Sequence, residues 1–142
     1  MPNHNANLKV VYVGLCADIL HHGHINILKK ASKYGKVIVG LLTDKAIRSY
    51  KKPPILNYKE RKMIVENIKF VHEVTPQNSL SYKKNLIKIK PDYVFHGDDW
   101  KKGIQKEIRS EVLLTLKLWG GKLKEPKYTK KISSSIIKKK IN

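Results

Sequence analysis

The segment His21–His24, which reads His-His-Gly-His, constrains this chain more than any other feature, because it stands where a strand pattern gives way to a helix pattern. The apolar run at residues 8–15 predicts a buried strand, and the residues after the motif have the apolar spacing of an amphipathic helix. The first amides of such a helix are unpaired and carry partial positive charge, which favours a phosphate group. His21 and His24 can face the same side of the first turn and hold a phosphorus atom under attack, and Gly23 would let a polyphosphate approach the backbone.

The motif alone also has a plainer interpretation, since two histidines near a turn are often only part of a polar loop. Its place between a strand and a helix favours the phosphate site. So does Asp18, three residues before His21, where a carboxylate could assist a metal ion. Cys16 is the only cysteine, which excludes an internal disulfide and a thiolate metal cluster and indicates a small buried thiol at the end of the strand.

Length and composition favour one globular domain spanning residues 1–142, because 41% of the residues are apolar and 29% are charged. The polar residues 1–7 are expected to be flexible, and residues 132–142 to form a C-terminal helix or tail. No apolar run approaches the length of a membrane span, and the first residues do not have the pattern of a signal peptide. We therefore expect a cytoplasmic protein without a membrane partner.

The formal charge of +19 raises the alternative of a basic nucleic-acid-binding module. The lysines are spread through every predicted helix, however, and only Lys138–Lys140 forms a compact run. This distribution is typical of a solvated surface, with a few lysines available to an anionic small substrate. We expect no specific nucleic-acid partner.

Strand and helix patterns alternate along the chain. Strands are predicted at 8–15, 36–42, 71–74, 93–96 and 122–124, and helices at 22–34, 44–50, from Asn57, at 79–90, at 103–119 and from near Ser133. Asn57 and Glu60 form a capping-box pattern. The alternation predicts an α/β, Rossmann-like, doubly wound parallel sheet with its ligand at the carboxyl ends of the strands.

Two loops would meet at that edge if the strand order reverses between the first and fourth strands. They are His21–His24 and Gly97–Trp100. The dinucleotide-binding Gly-x-Gly-x-x-Gly fingerprint and the Walker A loop are both absent from the sequence, so hydride transfer and P-loop hydrolysis lose their support.

Several motifs then fall in a familiar order: Val10–Leu28, Gly40–Asp44, Tyr58–Lys62, His96–Trp100 and Ile132–Ser135. Together they resemble the small cytidylyltransferase family of the glycerol-3-phosphate type, with its His-x-Gly-His signature. The stretches Ser49–Pro53 and His96–Gln105 look most like the branch that activates phosphonates, such as 2-aminoethylphosphonate or hydroxyalkylphosphonates, with CTP. The resemblance implies transfer of CMP from CTP to a small phosphonate, with release of pyrophosphate, Mg²⁺ as cofactor and a homodimer. The alternatives are a glycerol-3-phosphate acceptor and adenylyl transfer on the same fold.

The resemblance also implies residue roles. His21 and His24 would contact the CTP phosphates and stabilise the pentavalent centre, and Lys51 or Lys52 would neutralise the α-phosphate or the incoming phosphonate. Arg61 would bind the anionic group of the acceptor, with Asp44 in the same site. Asp18 would assist the metal ion. Nucleotide binding would involve Gly14, Cys16, Ala17, Asp18, Gly23, Gly97, Asp98, Trp100, Tyr128, Ser133, Ser134 and Ser135. The family's Arg-Thr-x-Gly lead-in to the serines reads Tyr128–Lys131 here, which leaves the contacts of that loop open.

Overall fold

The computed structural model describes residues 8–100, 104–127 and 134–141, without the side chains of residues 99, 104 and 134. The strands are β1 Val10–Leu15, β2 Lys36–Leu42, β3 Glu73–Gln77, β4 Tyr93–Phe95 and β5 Lys122–Lys124. The helices are α1 His22–Ser32, α2 Asp44–Arg48, α3 Tyr58–Glu66, α4 Lys83–Ile89, α5 Ile104–Leu116 and α6 Ser134–Ile141, with a short 3₁₀ helix at Asp98–Trp100. The predictions for residues 1–7, Tyr128 and Ser133 lie outside the described residues.

All five strands are parallel and lie in the order β3-β2-β1-β4-β5. In the register of the sheet, Tyr12 of β1 stands beside Ile38 of β2 on one side and Val94 of β4 on the other. The chain therefore adds β2 and β3 on one side of β1, and then adds β4 and β5 on the other side. The strand order thus reverses between β1 and β4, which is the condition under which the loops that follow these two strands lie across one crevice.

Helices cover both faces of the sheet. Val11 and Val13 of β1 point into one core, which includes Leu28 of α1 and Val65 of α3. Tyr12, between them, points into the opposite core with residues of α4 and α5, among them Leu86, Val112 and Leu116. The alternation follows from the two-residue period of a strand buried on both faces, and the predicted doubly wound α/β fold is confirmed.

The helix starts are fixed by local hydrogen bonds. At α3 the Asn57 side chain accepts from the amide of Glu60 at 2.9 Å, and the Glu60 carboxylate accepts from the amide of Asn57 at 3.0 Å. This reciprocal capping box confirms the prediction from the sequence. At α2 the hydroxyl of Thr43 caps the amide of Ala46 at 3.2 Å.

Strand β3 differs from its predicted position: the sequence predicts residues 71–74, and the strand lies at Glu73–Gln77. It includes Pro76, and proline cannot donate to a ladder. The strand lies at the edge of the sheet and pairs only with β2, so the missing donor costs no ladder bond. The extension brings Gln77 to the carboxyl edge, beside the end of β2.

Four helices are also shorter than predicted. Helix α1 ends at Ser32 rather than at residue 34, and α2 ends at Arg48 rather than at residue 50. Helix α4 begins at Lys83 rather than at residue 79, and α5 ends at Leu116 rather than at residue 119. Within the described ranges, no helix combines the length and the apolar character that crossing a membrane requires.

Candidate functional site

A cavity of about 470 Å³ opens at the carboxyl edge of the sheet, where the strand order reverses. It is lined by the last residues of β1, β2, β3 and β4, by the loops that follow these strands, and by residues of α1, α5 and α6. These are Val13, Gly14, Leu15, Cys16, His21, His24, Ile27, Leu42, Tyr50, Lys51, Gln77, Leu80, Tyr82, Phe95, His96, Gly97, Trp100, Gln105, Ile108 and Ser135. The volume is that of a small-molecule site.

His21 and His24 cap the first turn of α1 reciprocally. The Nδ1 atom of His21 accepts a hydrogen bond from the amide of Gly23 at 3.0 Å, and the Nδ1 atom of His24 accepts from the amide of His21 at 3.1 Å. Their ring centroids are 4.0 Å apart. Because each Nδ1 is an acceptor, the proton of each neutral ring is on Nε2, and both rings can donate a hydrogen bond at the cavity wall.

The environment keeps this pair neutral. Burial is the main cause that lowers the pKa of His24 to about 4, helped by the neighbouring His21 and by the positive charge of Lys51. Burial, and then the nearby His22, also lower the pKa of His21. At neutral pH the site therefore presents two N–H donors rather than two cations.

The positive charge at the cavity comes from Lys51. Its Nζ atom lies 5.3 Å from the centroid of the Tyr50 ring. Tyr50 contacts Cys16, and burial followed by that contact raises the pKa of the Tyr50 hydroxyl. Of the two lysines predicted for catalysis, only Lys51 lines the cavity, and Lys52 is exposed outside it.

The opposite wall is aromatic. The rings of His96 and Trp100 stack with centroids 3.7 Å apart and 5° between their planes. The indole N–H of Trp100 donates to Glu125 at 2.8 Å, and Arg109 donates to the same carboxylate twice at 2.8 Å. Trp100 lines the cavity but is only 1% exposed, and the His96 ring stacked on it lines the cavity as well. The predicted role of Trp100 in nucleotide binding stays a prediction.

Gly14 lines the cavity at a point where a larger side chain has no room. A β-carbon at Gly14 would lie 2.4 Å from the hydroxyl oxygen of Tyr82, so the space beside Gly14 is already filled by a tyrosine. The amide of Gly23 is bonded to His21, and Gly23 does not line the cavity. The prediction that a phosphate approaches the Gly23 backbone stays a prediction, and in this structure the Gly23 amide is used by the cap of α1. Gly97 lines the cavity as predicted.

Arg61 was predicted to bind the acceptor, and the structure shows it in contact with other parts of the protein. The side chain is fully buried, and its donors go to the carbonyl oxygens of Leu56, Cys16 and Leu42 at 3.0, 2.8 and 2.7 Å. It also donates to the Asp44 carboxylate at 2.7 Å. Arg61 and Asp44 thus pair with each other, Arg61 connects the loops after β1 and α2 to the end of β2, and neither residue lines the cavity. Their predicted substrate-binding roles stay predictions.

Asp18 is likewise engaged by the protein. One oxygen accepts from the amides of Ile55 and Leu56 at 2.7 and 3.4 Å, and the other accepts from Lys138. Burial acts to raise the pKa of Asp18, but these hydrogen bonds outweigh it and hold the pKa below its ordinary value. With 2% exposure, both oxygens of this carboxylate are used by partners within the protein, and its predicted role beside a metal ion stays a prediction.

Some of the remaining predicted residues line the cavity and others do not. Cys16 and Ser135 line the cavity, whereas Ala17 and Asp98 do not. Ala17 has a backbone φ of 54°, a left-handed conformation, and it directly precedes the buried Asp18. Ser134 begins α6, and Tyr128 and Ser133 lie outside the described residues.

Gln77 is a site residue that the sequence analysis missed. Its Oε1 atom accepts from the hydroxyl of the buried Tyr12 at 2.5 Å, and its Nε2 atom donates to the carbonyl of Ser79 at 3.0 Å. Asn85 donates to the same Tyr12 hydroxyl at 3.0 Å. A correct end for β3 would have identified Gln77, because it is the last residue of a strand at the ligand-binding edge.

The cavity can therefore hold a polyphosphate against a helix N-terminus with two neutral N–H donors and one lysine. Within the described part of the chain, no group of three or more His, Cys, Asp or Glu side chains could hold a metal ion. Among the residues that the structure describes, the carboxylates therefore offer no magnesium site built by the protein itself, and the predicted Mg²⁺ stays a prediction.

Comparisons with known proteins show the family of this chain. A family model described as Cytidylyltransferase-like matches residues 11–140. The glycerol-3-phosphate cytidylyltransferase of Bacillus subtilis is 36% identical over 86 residues, which cover 59% of this chain and 67% of that protein. The ethanolamine-phosphate cytidylyltransferase of Arabidopsis thaliana is 34% identical over 95 residues, which cover 63% of this chain and only 23% of that longer protein.

A solved structure has the same fold. The lipopolysaccharide core biosynthesis protein of Thermoplasma volcanium GSS1 superposes with a TM-score of 0.72 and 26% identity, covering 86% of this chain and 99% of that one.

Proposed function

Because this chain belongs to the cytidylyltransferase-like family, we propose that it transfers CMP from CTP to a small phosphate ester or phosphonate and releases pyrophosphate. The observation that carries the proposal is the reciprocal cap of His21 and His24 in the cavity at the reversal of strand order. A phosphate group fits there because two neutral N–H donors meet a helix N-terminus.

In the proposed reaction, an anionic oxygen of the acceptor attacks the α-phosphorus of CTP. The new oxygen–phosphorus bond forms as the bond to the bridging oxygen of the β-phosphate breaks, and pyrophosphate leaves with that electron pair. The acceptor oxygen is already ionised at neutral pH, so the protein has no proton to remove from it. The work of the site is positioning and stabilisation of the developing charge.

Each described residue then has a defined part. The Nε2–H groups of His21 and His24 donate to the oxygens on the α-phosphorus. Lys51 supplies the positive charge beside them. The wall formed by His96, Gly97 and Trp100 is proposed to hold the cytidine, and the region of Tyr50 and Gln77 to hold the acceptor.

For the acceptor, we propose a small phosphonate, 2-aminoethylphosphonate or a hydroxyalkylphosphonate, on the resemblance of residues 49–53 and 96–105 to the phosphonate branch. Glycerol-3-phosphate and ethanolamine phosphate are the alternative acceptors, because the relatives reported above are named for these two substrates. Neither of the two is favoured over the other. A competition assay with limiting CTP decides between them. A dominant CDP-glycerol product would overturn the phosphonate assignment and leave the cytidylyltransferase assignment intact.

Mg²⁺ enters the proposal only as an ion that accompanies the nucleotide phosphates, and no described residue is assigned to hold it. The homodimer remains a proposal as well. Sedimentation velocity at several protein concentrations tests it.

A thermal-shift panel tests the nucleotide class. We expect CTP with Mg²⁺ to raise the melting temperature more than ATP does, because a ligand that binds only the folded state stabilises it. A larger shift with ATP would support the adenylyl-transfer alternative. Tight binding of an unrelated DNA duplex that survives physiological salt would support the nucleic-acid module, since binding through scattered surface lysines should be screened.

A further inference from the structure

Helix α6 reaches the cavity through its first turn. Ser135 lines the cavity, and Lys138, three residues later, lies on the same side of the helix. The Nζ atom of Lys138 donates to the Oδ2 atom of Asp18, whose side chain is 1% exposed. A single ion pair therefore connects the turn that carries Ser135 to the loop that leads into His21.

Asp18 connects more than two segments. Its other oxygen holds the amides of Ile55 and Leu56, in the loop that begins with Lys51. The carboxylate is thus bonded at once to α6 and to the loop after α2, and it lies in the loop after β1. These three segments supply Ser135, Lys51 and His21 to the cavity wall.

Two of the three isoleucines of α6 are exposed. Ile136 is 38% exposed and Ile141 is 72% exposed, whereas Ile137 is half-buried. In the run Lys138–Lys140, the first lysine is half-buried, whereas Lys139 and Lys140 are exposed. The charge-assisted bond to a buried carboxylate is therefore a strong and specific attachment for this helix, stronger than an exposed lysine pair would provide.

We propose that Lys138 is a positioning residue for nucleotide binding: through Asp18 it docks α6 so that Ser135 closes one wall of the cavity. This inference rests on the proposed function, because Ser135 lines the cavity and is one of the residues expected to bind the nucleotide. Lys138 acts through Asp18 and does not itself line the cavity.

The test compares Lys138→Met with Lys139→Met and Lys140→Met, which remove the same charge from the same helix. Hydrogen exchange of the α6 amides is measured without nucleotide, and steady-state kinetics with varied CTP follow. For Lys138→Met we expect lost protection of α6 and a KM for CTP raised about tenfold, the scale of one charge-assisted hydrogen bond, with kcat changed less than threefold. The two control variants should behave like the wild type, and Lys138→Arg should restore part of the protection and of the KM.

Asp18→Asn separates the two roles of the carboxylate, because the amide oxygen can still accept from Ile55 while the charge facing Lys138 is gone. Asp18→Asn should lower the protection of the α6 amides as Lys138→Met does. The double variant with both substitutions should lose no more protection than either single variant. Unchanged protection of α6 in Lys138→Met, or a lost protection with an unchanged KM for CTP, would overturn the inference. If the wild type transfers no nucleotide at all, the proposed function falls, and the exchange experiment still decides whether Lys138 holds α6.

Discussion

The Nδ1 atom of His24 accepts the backbone N–H of His21 at 3.1 Å, while the Nδ1 atom of His21 accepts the N–H of Gly23 at 3.0 Å. Histidine here performs the capping that serine, threonine or aspartate usually performs. The same hydrogen bonds that start α1 also set the tautomer of both rings. Local structure and the proposed chemistry are therefore supplied by one pair of side chains.

Replacing His21 or His24 by alanine should lower kcat by about two to three orders of magnitude, the scale of losing one preorganised donor at a developing charge. Each variant should also lose about 1 kcal/mol of stability with its cap. His22→Ala is the matched control, because His22 is exposed outside the cavity, and its turnover should stay within about twofold of the wild type. Turnover close to normal in both cavity variants would remove the histidines from the mechanism.

The tautomer and the pKa of His24 can be observed directly by nitrogen NMR of the imidazole rings. We expect an unprotonated Nδ1 and a protonated Nε2 at pH 7, with titration only near the low pKa of about 4. Since the folded pKa lies below the ordinary value of about 6.5, the unfolded chain binds the extra proton first. Stability should fall as the pH falls from about 6.5 towards 4, and less steeply in His24→Gln. Titration of His24 near pH 6.5 would contradict this account.

Arg61→Lys should destabilise the fold by roughly 2–4 kcal/mol, because an ammonium group cannot replace a buried guanidinium that bonds to three carbonyl oxygens and a carboxylate. Chemical denaturation measures the loss. The exposed Arg48→Lys, on α2, should change stability by less than about 0.5 kcal/mol. A stable Arg61→Lys protein with a specifically raised KM for the acceptor would instead support the predicted substrate-binding role.

Tyr12→Phe should cost about 1–2 kcal/mol, because the buried Oε1 of Gln77 loses its donor and the amide of Asn85 loses an acceptor. Thermal denaturation measures this loss of stability. The control is Tyr34→Phe on the 43% exposed Tyr34, where removal of the hydroxyl should have little effect. Equal melting temperatures for the two variants would show that the Tyr12 network does not hold Gln77.

The elements with strong periodic or capping signals were predictable. Strand β2 was predicted with its observed limits, because a strand buried on both faces is a continuous apolar run, and the start of α3 followed from Asn57 and Glu60. The placement of His21 and His24 at the ligand edge followed from the alternation of strands and helices. These predictions needed only local sequence.

The partners of the charged residues were not predictable in this way. Arg61 and an arginine that binds a phosphate look alike in sequence, and only the fold shows that the carbonyl oxygens of Cys16 and Leu42 converge on it. The pairing of Asp18 with Lys138 joins residues 120 positions apart, which no local pattern encodes. Gln77 was missed because an edge strand tolerates a proline that a central strand would not.

The most direct test of the proposed activity is phosphorus NMR of CTP and Mg²⁺ incubated with the protein and, in turn, 2-aminoethylphosphonate, a hydroxyalkylphosphonate, glycerol-3-phosphate and ethanolamine phosphate. The account predicts that at least one acceptor yields a CDP-linked or CMP-phosphonate product and pyrophosphate in equal amounts, and that His24→Ala forms neither at a comparable rate. CTP that stays intact with every acceptor, while the protein remains folded, would contradict it.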